Sequence, residues 1–227
     1  MKYKLLLFDA DDTLFDFQKA EEQSLELAFN QMDLAFKKLE YLGIYRIVSG
    51  QVWDEYGRGI ISAEELRTKR FDLLFQQINI SVDSGQFSQI YLKHLSQIFY
   101  LLDGAVEILE YLAPKYTLAI VTNGLAEVQH ERFDRPPLPK WFKHLIISEE
   151  TGSKKPYPEF FEYALRQTGN FSKAEALIVG DSLQADIVGG MNFGMDTCWF
   201  NPKDAVAPEG ISPTFIINKL EDLKSIL

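Results

Sequence analysis

The chain has 227 residues, of which 46% are hydrophobic and 25% charged, the composition of an ordinary globular protein. The formal net charge of -10 argues against binding to nucleic acid polymers or to anionic membranes. Cys198 is the only cysteine, which excludes an internal disulfide, and no apolar run reaches the roughly 20 residues of a membrane helix. Because no signal-peptide pattern is present, we expect a cytoplasmic protein.

The first predicted element is a buried strand that ends in carboxylates. Leu5–Phe8 are apolar without alternation, which is typical of a strand covered on both faces in a parallel sheet. Asp9, Asp11 and Asp12 follow within four positions, where like charges oppose one another's ionisation unless a cation lies nearby. Alone, this stretch fits a solvated turn as well as a metal-assisted phosphoryl-transfer site.

Residues 16–99 show apolar residues at helical spacing and no credible strand. Ser62 and Glu65 form a capping-box pattern before the third helix, and Gly57 and Gly59 end the second. The predicted helices cover residues 20–36, 45–56, 66–78 and 87–98.

From residue 101 the pattern alternates between strands and helices. The predicted strands cover residues 116–121, 144–147, 176–179 and 197–200, with a candidate edge strand at 215–217. The predicted helices cover residues 105–112, 125–133, 158–168 and 185–193, with a final helix capped by residues 218–221. Between them we expect a proline-rich break at 136–139, polar residues at 148–150 and a loop at 151–156.

Strands that alternate with helices predict an α/β fold with a doubly wound parallel sheet. We therefore expect an α/β core formed by residues 1–15 and 100–227, with a helical insert at 16–99. Ligands of such a sheet bind outside the carboxyl ends of the strands. Here those ends carry Asp9 and Asp11, then Thr122 and Asn123, then Asp181.

The residue types at this edge favour phosphoryl transfer. Asp9 and Asp181 offer the hard oxygen ligands that Mg²⁺ prefers, and Lys155 adds a cation. Asp9 can then attack phosphorus, while Asp11 transfers protons to the leaving oxygen and from water. The Thr122 hydroxyl and the N–H groups around Asn123 can bind the phosphate oxygens.

Four short motifs resemble those of the haloacid dehalogenase-like (HAD) superfamily. They are Asp9-x-Asp11-x-Thr13, Thr122 after a strand, Lys155-Pro156, and Gly180-Asp181-x4-Asp186. The resemblance implies a Rossmann-like core, and the helical insert stands where subfamily I members carry a C1 cap.

The resemblance also implies a role for each matching residue. Asp9 would be the nucleophile, and Asp11 the acid/base with its backbone carbonyl on Mg²⁺. Lys155 and Thr122 would bind phosphate. Asp181 would bind the metal, and Asp186, five residues later, would orient Lys155 or a metal-bound water.

Several longer stretches are similar to a bacterial branch of house-cleaning pyrimidine 5'-nucleotidases. They lie at residues 8–15, 120–124, 147–152, 185–190 and 197–202, whereas residues 135–139 depart from that pattern. The resemblance implies a phosphate monoester as substrate, with pyrimidine nucleoside monophosphates as the favoured class. Trp53, Tyr56 and Arg70 of the insert are candidates for contact with base or sugar, against the alternative that they belong to its core.

Other activities remain open from the sequence. Asp11 argues against a dehalogenase, which lacks the second aspartate of the first motif. A sugar-phosphate phosphatase or a phosphoglucomutase-type enzyme would share the core residues. A catalytically silent binding module would not require the full set. Asp12 is expected to be a turn residue rather than a catalyst.

Overall fold

The structure is a computed structural model that describes residues 2–227. The chain divides into two compact units. The α/β unit contains the residues up to Phe17 together with Tyr100–Leu227, and the helical unit contains Gln18–Phe99.

The α/β unit is built on one parallel sheet of six strands, which confirms the predicted fold class. The strands are β1 (Leu5–Phe8), β2 (Thr117–Thr122), β3 (His144–Ile147), β4 (Ala176–Gly180), β5 (Asp196–Phe200) and β6 (Phe215–Ile217). Their order is β3-β2-β1-β4-β5-β6, so β1 lies in the middle between β2 and β4. Phe8 is level with Ile120 and Val179, which brings the carboxyl ends of the three central strands to one edge.

The sheet is held by apolar packing on its faces. Leu5 and Leu7 belong to a buried cluster that also contains Phe160, Phe161 and Phe193. All four residues of β1 are completely buried, so both faces of the strand are covered, which explains why it shows no alternation of apolar and polar residues.

The helical unit contains four helices that pack through aromatic side chains. They are α1 (Phe17–Gln31), α2 (Lys38–Gly57), α3 (Ala63–Ile78) and α4 (Ser84–Gln97). The capping box before α3 is confirmed, since Ser62 N–H donates to Glu65 Oε2 over 2.8 Å and Glu65 N–H donates to Ser62 Oγ over 3.1 Å.

The first helix ends earlier than the apolar spacing predicts. Asp33 has a left-handed φ of 55°, and the Leu34 N–H donates to the Phe29 carbonyl, which closes α1 after Gln31. Phe36 nevertheless packs on Phe29 with the ring centroids 5.1 Å apart. Phe36 therefore packs on the same apolar cluster as α1 although it lies beyond the end of the helix.

The remaining helices belong to the α/β unit. They are α5 (Ala105–Leu112), α6 (Ala126–Phe133), α7 (Leu138–Trp141), α8 (Ser148–Thr151), α9 (Pro158–Thr168), α10 (Gly189–Phe193) and α11 (Leu223–Ile226). Short 3-10 turns lie at Lys173–Glu175 and Leu220–Asp222, and a π-helical segment covers Leu183–Val188.

Several details of this unit differ from the prediction, including α7, which begins inside the predicted proline-rich break. Residues 148–151 form a helical turn, α8, which Gly152 ends with a left-handed φ of 73°. The helix predicted at 185–193 is a π-helical segment followed by α10. The last cap uses Asp222, whose carboxylate accepts from the Lys219 N–H over 3.0 Å, and the Asn218 amide donates to the Asn201 carbonyl.

The two chain segments that bound the helical unit are joined within the α/β unit. The Asp16 N–H donates to the Tyr100 carbonyl over 3.0 Å, and the Leu102 N–H donates to the Leu14 carbonyl over 2.9 Å. We call this pair of hydrogen-bonded segments the seam. No helix in the described part of the chain has the length and apolar character to cross a bilayer.

Candidate active site

The centre of the site is a buried contact between a carboxylate and an ammonium group. Asp9 follows the last residue of β1, and its N–H donates to the Val179 carbonyl over 2.9 Å. The Lys155 ammonium group donates to Asp9 Oδ1 over 2.5 Å and to the Val121 carbonyl over 2.9 Å. Lys155 is 2% exposed, so its charge is directed into the protein rather than to solvent.

A second carboxylate orients the same lysine. Asp186 is completely buried, and its Oδ1 accepts from the Lys155 ammonium group over 2.7 Å. Its Oδ2 accepts from the Ser182 N–H over 3.1 Å. A Cβ on Gly180 would lie 2.2 Å from Asp186 Oδ2, so a glycine is required where β4 ends.

Asp181 follows β4 and is fixed from two sides. Its Oδ1 accepts from the Thr13 hydroxyl over 3.1 Å, and its N–H donates to the Thr13 oxygen over 3.0 Å. The Trp199 indole N–H donates to the Asp181 carbonyl over 2.9 Å. Thr13 therefore connects the first motif to the last one.

The electrostatics of this cluster follow from burial. Burial raises the pKa of Asp9 well above its usual range, and Lys155 offsets this only in part. Burial, followed by the charges of Asp186 and Asp12, raises the pKa of Asp181 to about 7. The pKa of Lys155 is raised, because the attraction of Asp186 and Asp9 outweighs the effect of burial. The charge of Lys155 therefore does not fully balance the negative charges of Asp9, Asp181 and Asp186.

This arrangement fits a divalent cation. One carboxylate oxygen each of Asp9, Asp181 and Asp186 lies within 4.8 Å of the others. Both oxygens of Asp186 already accept hydrogen bonds, so Asp9 and Asp181 are the better ligand candidates. A hard cation with oxygen ligands suits such a donor set.

The residues after β2 form the adjoining wall. Thr122 is 2% exposed, and its oxygen accepts from the Gly124 N–H over 2.9 Å, which leaves the hydroxyl hydrogen to be donated. The Asn123 side chain is engaged with the backbone of Lys155: its amide donates to the carbonyl over 2.9 Å, and its oxygen accepts from the N–H over 3.0 Å. Asn123 therefore holds the loop of Lys155 beside β2.

Asp11 has two partners that the sequence did not reveal. Its Oδ1 accepts from Arg132 Nη1 over 2.6 Å, and its Oδ2 accepts from the Gln129 amide over 2.8 Å. Both donors lie on α6, one turn apart on the same face. Nothing in the pattern of α6 distinguished them from the polar residues of a solvated helix.

Four further residues that the sequence singles out have local contacts of their own. Asp12 occupies a left-handed turn with a φ of 58°, consistent with a turn residue. In the helical unit, Trp53 is half-buried and its ring meets that of Tyr56 edge-on with centroids 5.8 Å apart. Arg70 is 1% exposed and lies over the rings of Phe71 and Tyr91, which argues against direct contact with a substrate.

Comparison with known proteins identifies the family. The model of the haloacid dehalogenase-like hydrolases matches residues 6–200. The chain is 34% identical to the pyrimidine 5'-nucleotidase YjjG of Escherichia coli, covering 100% of this chain and 99% of the relative. It is 35% identical to the pyrimidine 5'-nucleotidase PynA of Streptococcus pneumoniae, covering 100% of this chain and 96% of the relative.

A solved structure agrees with this assignment. The magnesium-bound crystal structure of YfnB from Bacillus subtilis matches with a TM-score of 0.93 at 36% identity, covering 100% of this chain and 99% of that one. The chain therefore belongs to the haloacid dehalogenase-like hydrolase family, and it is a hydrolase with the family's α/β fold.

Proposed function

We propose that the protein is a Mg²⁺-dependent phosphomonoester hydrolase that works through an aspartyl-phosphate on Asp9, with pyrimidine nucleoside 5'-monophosphates as its substrates. The main support is the buried contact of 2.5 Å between Asp9 and Lys155. It aligns a carboxylate nucleophile and reduces its repulsion of a phosphate anion.

The reaction divides into two displacements at phosphorus. In the first, a carboxylate oxygen of Asp9 bonds to phosphorus while the bond to the leaving oxygen breaks, and Asp11 gives its proton to that oxygen. In the second, water gives a proton to Asp11 as its oxygen bonds to phosphorus and the bond to Asp9 breaks. Both aspartates thus return to their starting states, and the products are an alcohol and phosphate.

The phosphate group is held by the residues beside Asp9. The Thr122 hydroxyl and the backbone N–H of Asn123 donate to its oxygens, and the ammonium group of Lys155 neutralises charge. The Asp9 and Asp181 carboxylates with the backbone carbonyl of Asp11 would hold Mg²⁺. When bound, the cation neutralises charge on the phosphate oxygens and on the nucleophile.

The proposed substrate class rests on the relatives. YjjG and PynA are named pyrimidine 5'-nucleotidases, and each matches this chain over its whole length. We assign the helical unit the role of a cap that excludes water during the first displacement and admits it for the second. A sugar-phosphate phosphatase or a mutase would use the same residues of the α/β unit.

Asp9→Asn tests the nucleophile. The substitution removes an attacking oxygen but preserves size, so hydrolysis of p-nitrophenyl phosphate should fall by at least about 10³-fold while the unfolding temperature changes little. Asp12→Asn is the matched control, because it neutralises a neighbouring carboxylate in a turn, and it should retain activity within about tenfold. Near wild-type turnover by Asp9→Asn would overturn the proposal.

A substrate panel tests the finer assignment. Nucleoside monophosphates, sugar phosphates and a hexose phosphate with its bisphosphate activator are compared with Mg²⁺ and with EDTA. We expect the highest kcat/KM with pyrimidine nucleoside 5'-monophosphates and no turnover in EDTA. A preference for a sugar phosphate would exclude the nucleotidase while keeping the phosphatase, and isomerisation without phosphate release would indicate a mutase. Turnover in EDTA would exclude the role given to Mg²⁺.

A further inference from the structure

The carboxylate of Asp11 is held at both of its oxygens by side chains of one helix. Arg132 Nη1 donates to Oδ1 over 2.6 Å, and the Gln129 amide donates to Oδ2 over 2.8 Å. We call Gln129 and Arg132 the Asp11 clamp. Two donors on separate oxygens fix the plane of a carboxylate, whereas one donor leaves it free to rotate.

Burial shows that the clamp differs from a surface ion pair. Arg132 is 1% exposed and Gln129 is 2% exposed, although the Asp11 side chain itself is 26% exposed. A guanidinium group is removed from water at a large cost in free energy, which a well-placed anion helps to offset. The buried guanidinium group of Arg132 therefore holds the Asp11 carboxylate, which is still partly exposed to solvent.

The surrounding backbone is adapted to the clamp. A Cβ on Gly124 would lie 2.3 Å from the Gln129 amide nitrogen, so any other residue there would displace the side chain that reaches Asp11. The amino end of α6 is fixed by Glu149, whose carboxylate accepts from the Ala126 N–H over 2.7 Å. The guanidinium group of Arg132 also lies over the ring of Phe15, 5.4 Å from its centroid.

We propose that Gln129 and Arg132 are positioning residues that orient the Asp11 carboxylate toward the leaving oxygen, a role that rests on the proposed function. Proton transfer requires the two oxygens to come within about 2.6–3.2 Å, so a carboxylate that rotates freely transfers its proton less often. The opposing interpretation is that the clamp only pins α6 to the loop after β1.

Leaving groups of different basicity distinguish these interpretations. As the bond from phosphorus to the leaving oxygen breaks, phenolate takes the proton of Asp11, whereas the weakly basic p-nitrophenolate departs without one. Loss of positioning should therefore slow phenyl phosphate more than p-nitrophenyl phosphate. Loss of structure alone slows both equally. The ratio of kcat/KM values reports only the steps up to formation of the aspartyl-phosphate.

The test compares Arg132→Met, Arg132→Lys and Gln129→Met with the wild type on both phosphates. For Arg132→Met we expect kcat/KM to fall at least about tenfold more for phenyl phosphate than for p-nitrophenyl phosphate, within the range that general acid catalysis contributes. Arg132→Lys should recover part of the activity on phenyl phosphate, because it keeps a cation near Asp11. His130→Gln, at an exposed position of the same helix, should change neither rate.

Each result decides between the interpretations. If the wild type is active and kcat/KM falls equally on both phosphates in the variants, the positioning role of the Asp11 clamp is overturned. The proposed phosphatase activity then still stands. A wild type that hydrolyses neither phosphate would overturn the proposed function itself. Should Arg132→Met fail to fold by circular dichroism, Gln129→Met decides the question, because it removes one hydrogen bond and leaves no cavity. For that variant, a loss that is larger for phenyl phosphate supports the clamp.

Discussion

The two units of this molecule bury cations in different ways. In the α/β unit, Lys155 and Arg132 each donate to carboxylates at the candidate active site. In the helical unit, Arg70 is as buried as Arg132, but it lies over the rings of Phe71 and Tyr91, 5.0 and 5.2 Å from their centroids. Its Nε and Nη2 have no hydrogen-bond partner in the described part of the chain. A buried cation alone therefore does not predict a site, and the carboxylates after the strands are what distinguish Lys155 and Arg132 from Arg70.

Glycines show the same contrast. Gly124 and Gly180 lie where a Cβ would meet Gln129 and Asp186 at 2.3 and 2.2 Å. Gly43 and Gly50 lie inside α2, and a Cβ there would meet nothing within 4 Å. The two glycines at the edge of the sheet are thus closely packed and the two in α2 are not, so alanine should have opposite effects at Gly180 and Gly50.

The largest effect is expected from Lys155→Met. Removing the cation leaves Asp9 and Asp186 facing each other without compensation, and the free energy of unfolding should fall by about 3 kcal/mol, as for other broken buried ion pairs. Urea unfolding in EDTA measures this change without the contribution of a bound cation. A loss below about 0.5 kcal/mol would show that these carboxylates are neutral in the folded protein and would remove the contrast with Arg70.

Gly180→Ala should have an intermediate effect. Its new methyl group would displace the Asp186 carboxylate and with it the orientation of Lys155, lowering the free energy of unfolding by about 1–3 kcal/mol. Gly50→Ala is the matched control in the helical unit, where it should raise the free energy of unfolding by about 0.5–1 kcal/mol. Chemical denaturation of both variants measures the two signs, and equal signs would contradict the contrast.

The smallest effect is expected from Arg70→Met. Methionine has a similar length, fills the space between the two rings and needs no hydrogen bonds, so the free energy of unfolding should change by less than about 1.5 kcal/mol. Steady-state kinetics should show an unchanged KM for the nucleotide. A KM that rises more than about tenfold would instead restore Arg70 as a residue that contacts substrate.

The sequence predicted the parts of the site that follow strands. β1 is recognisable because all four of its residues are apolar, and the carboxyl ends of parallel strands meet by geometry. Asp9, Asp181 and Lys155 were therefore expected at one edge before the fold was known. Their catalytic roles stay predictions that the substitutions above test.

The clamp could not be predicted in the same way. Gln129 and Arg132 contact a residue more than one hundred positions earlier, and the docking of α6 depends on Gly124 and Glu149 rather than on its own pattern. The helix predicted at 185–193 was wrong in detail for a similar reason. A Cβ on Gly190 of α10 would lie 2.6 Å from the Thr197 methyl group, so this part of the chain packs tightly on β5, which its own pattern does not report.

The seam has a consequence for engineering of the protein. The backbone hydrogen bonds from Asp16 to Tyr100 and from Leu102 to Leu14 bring the two boundaries of the helical unit side by side within the α/β unit. An insert whose ends already meet adds little chain-closure entropy to its host, whatever its length. We therefore expect that a different insert joined at residues 16 and 100 would leave the sheet of the α/β unit unchanged.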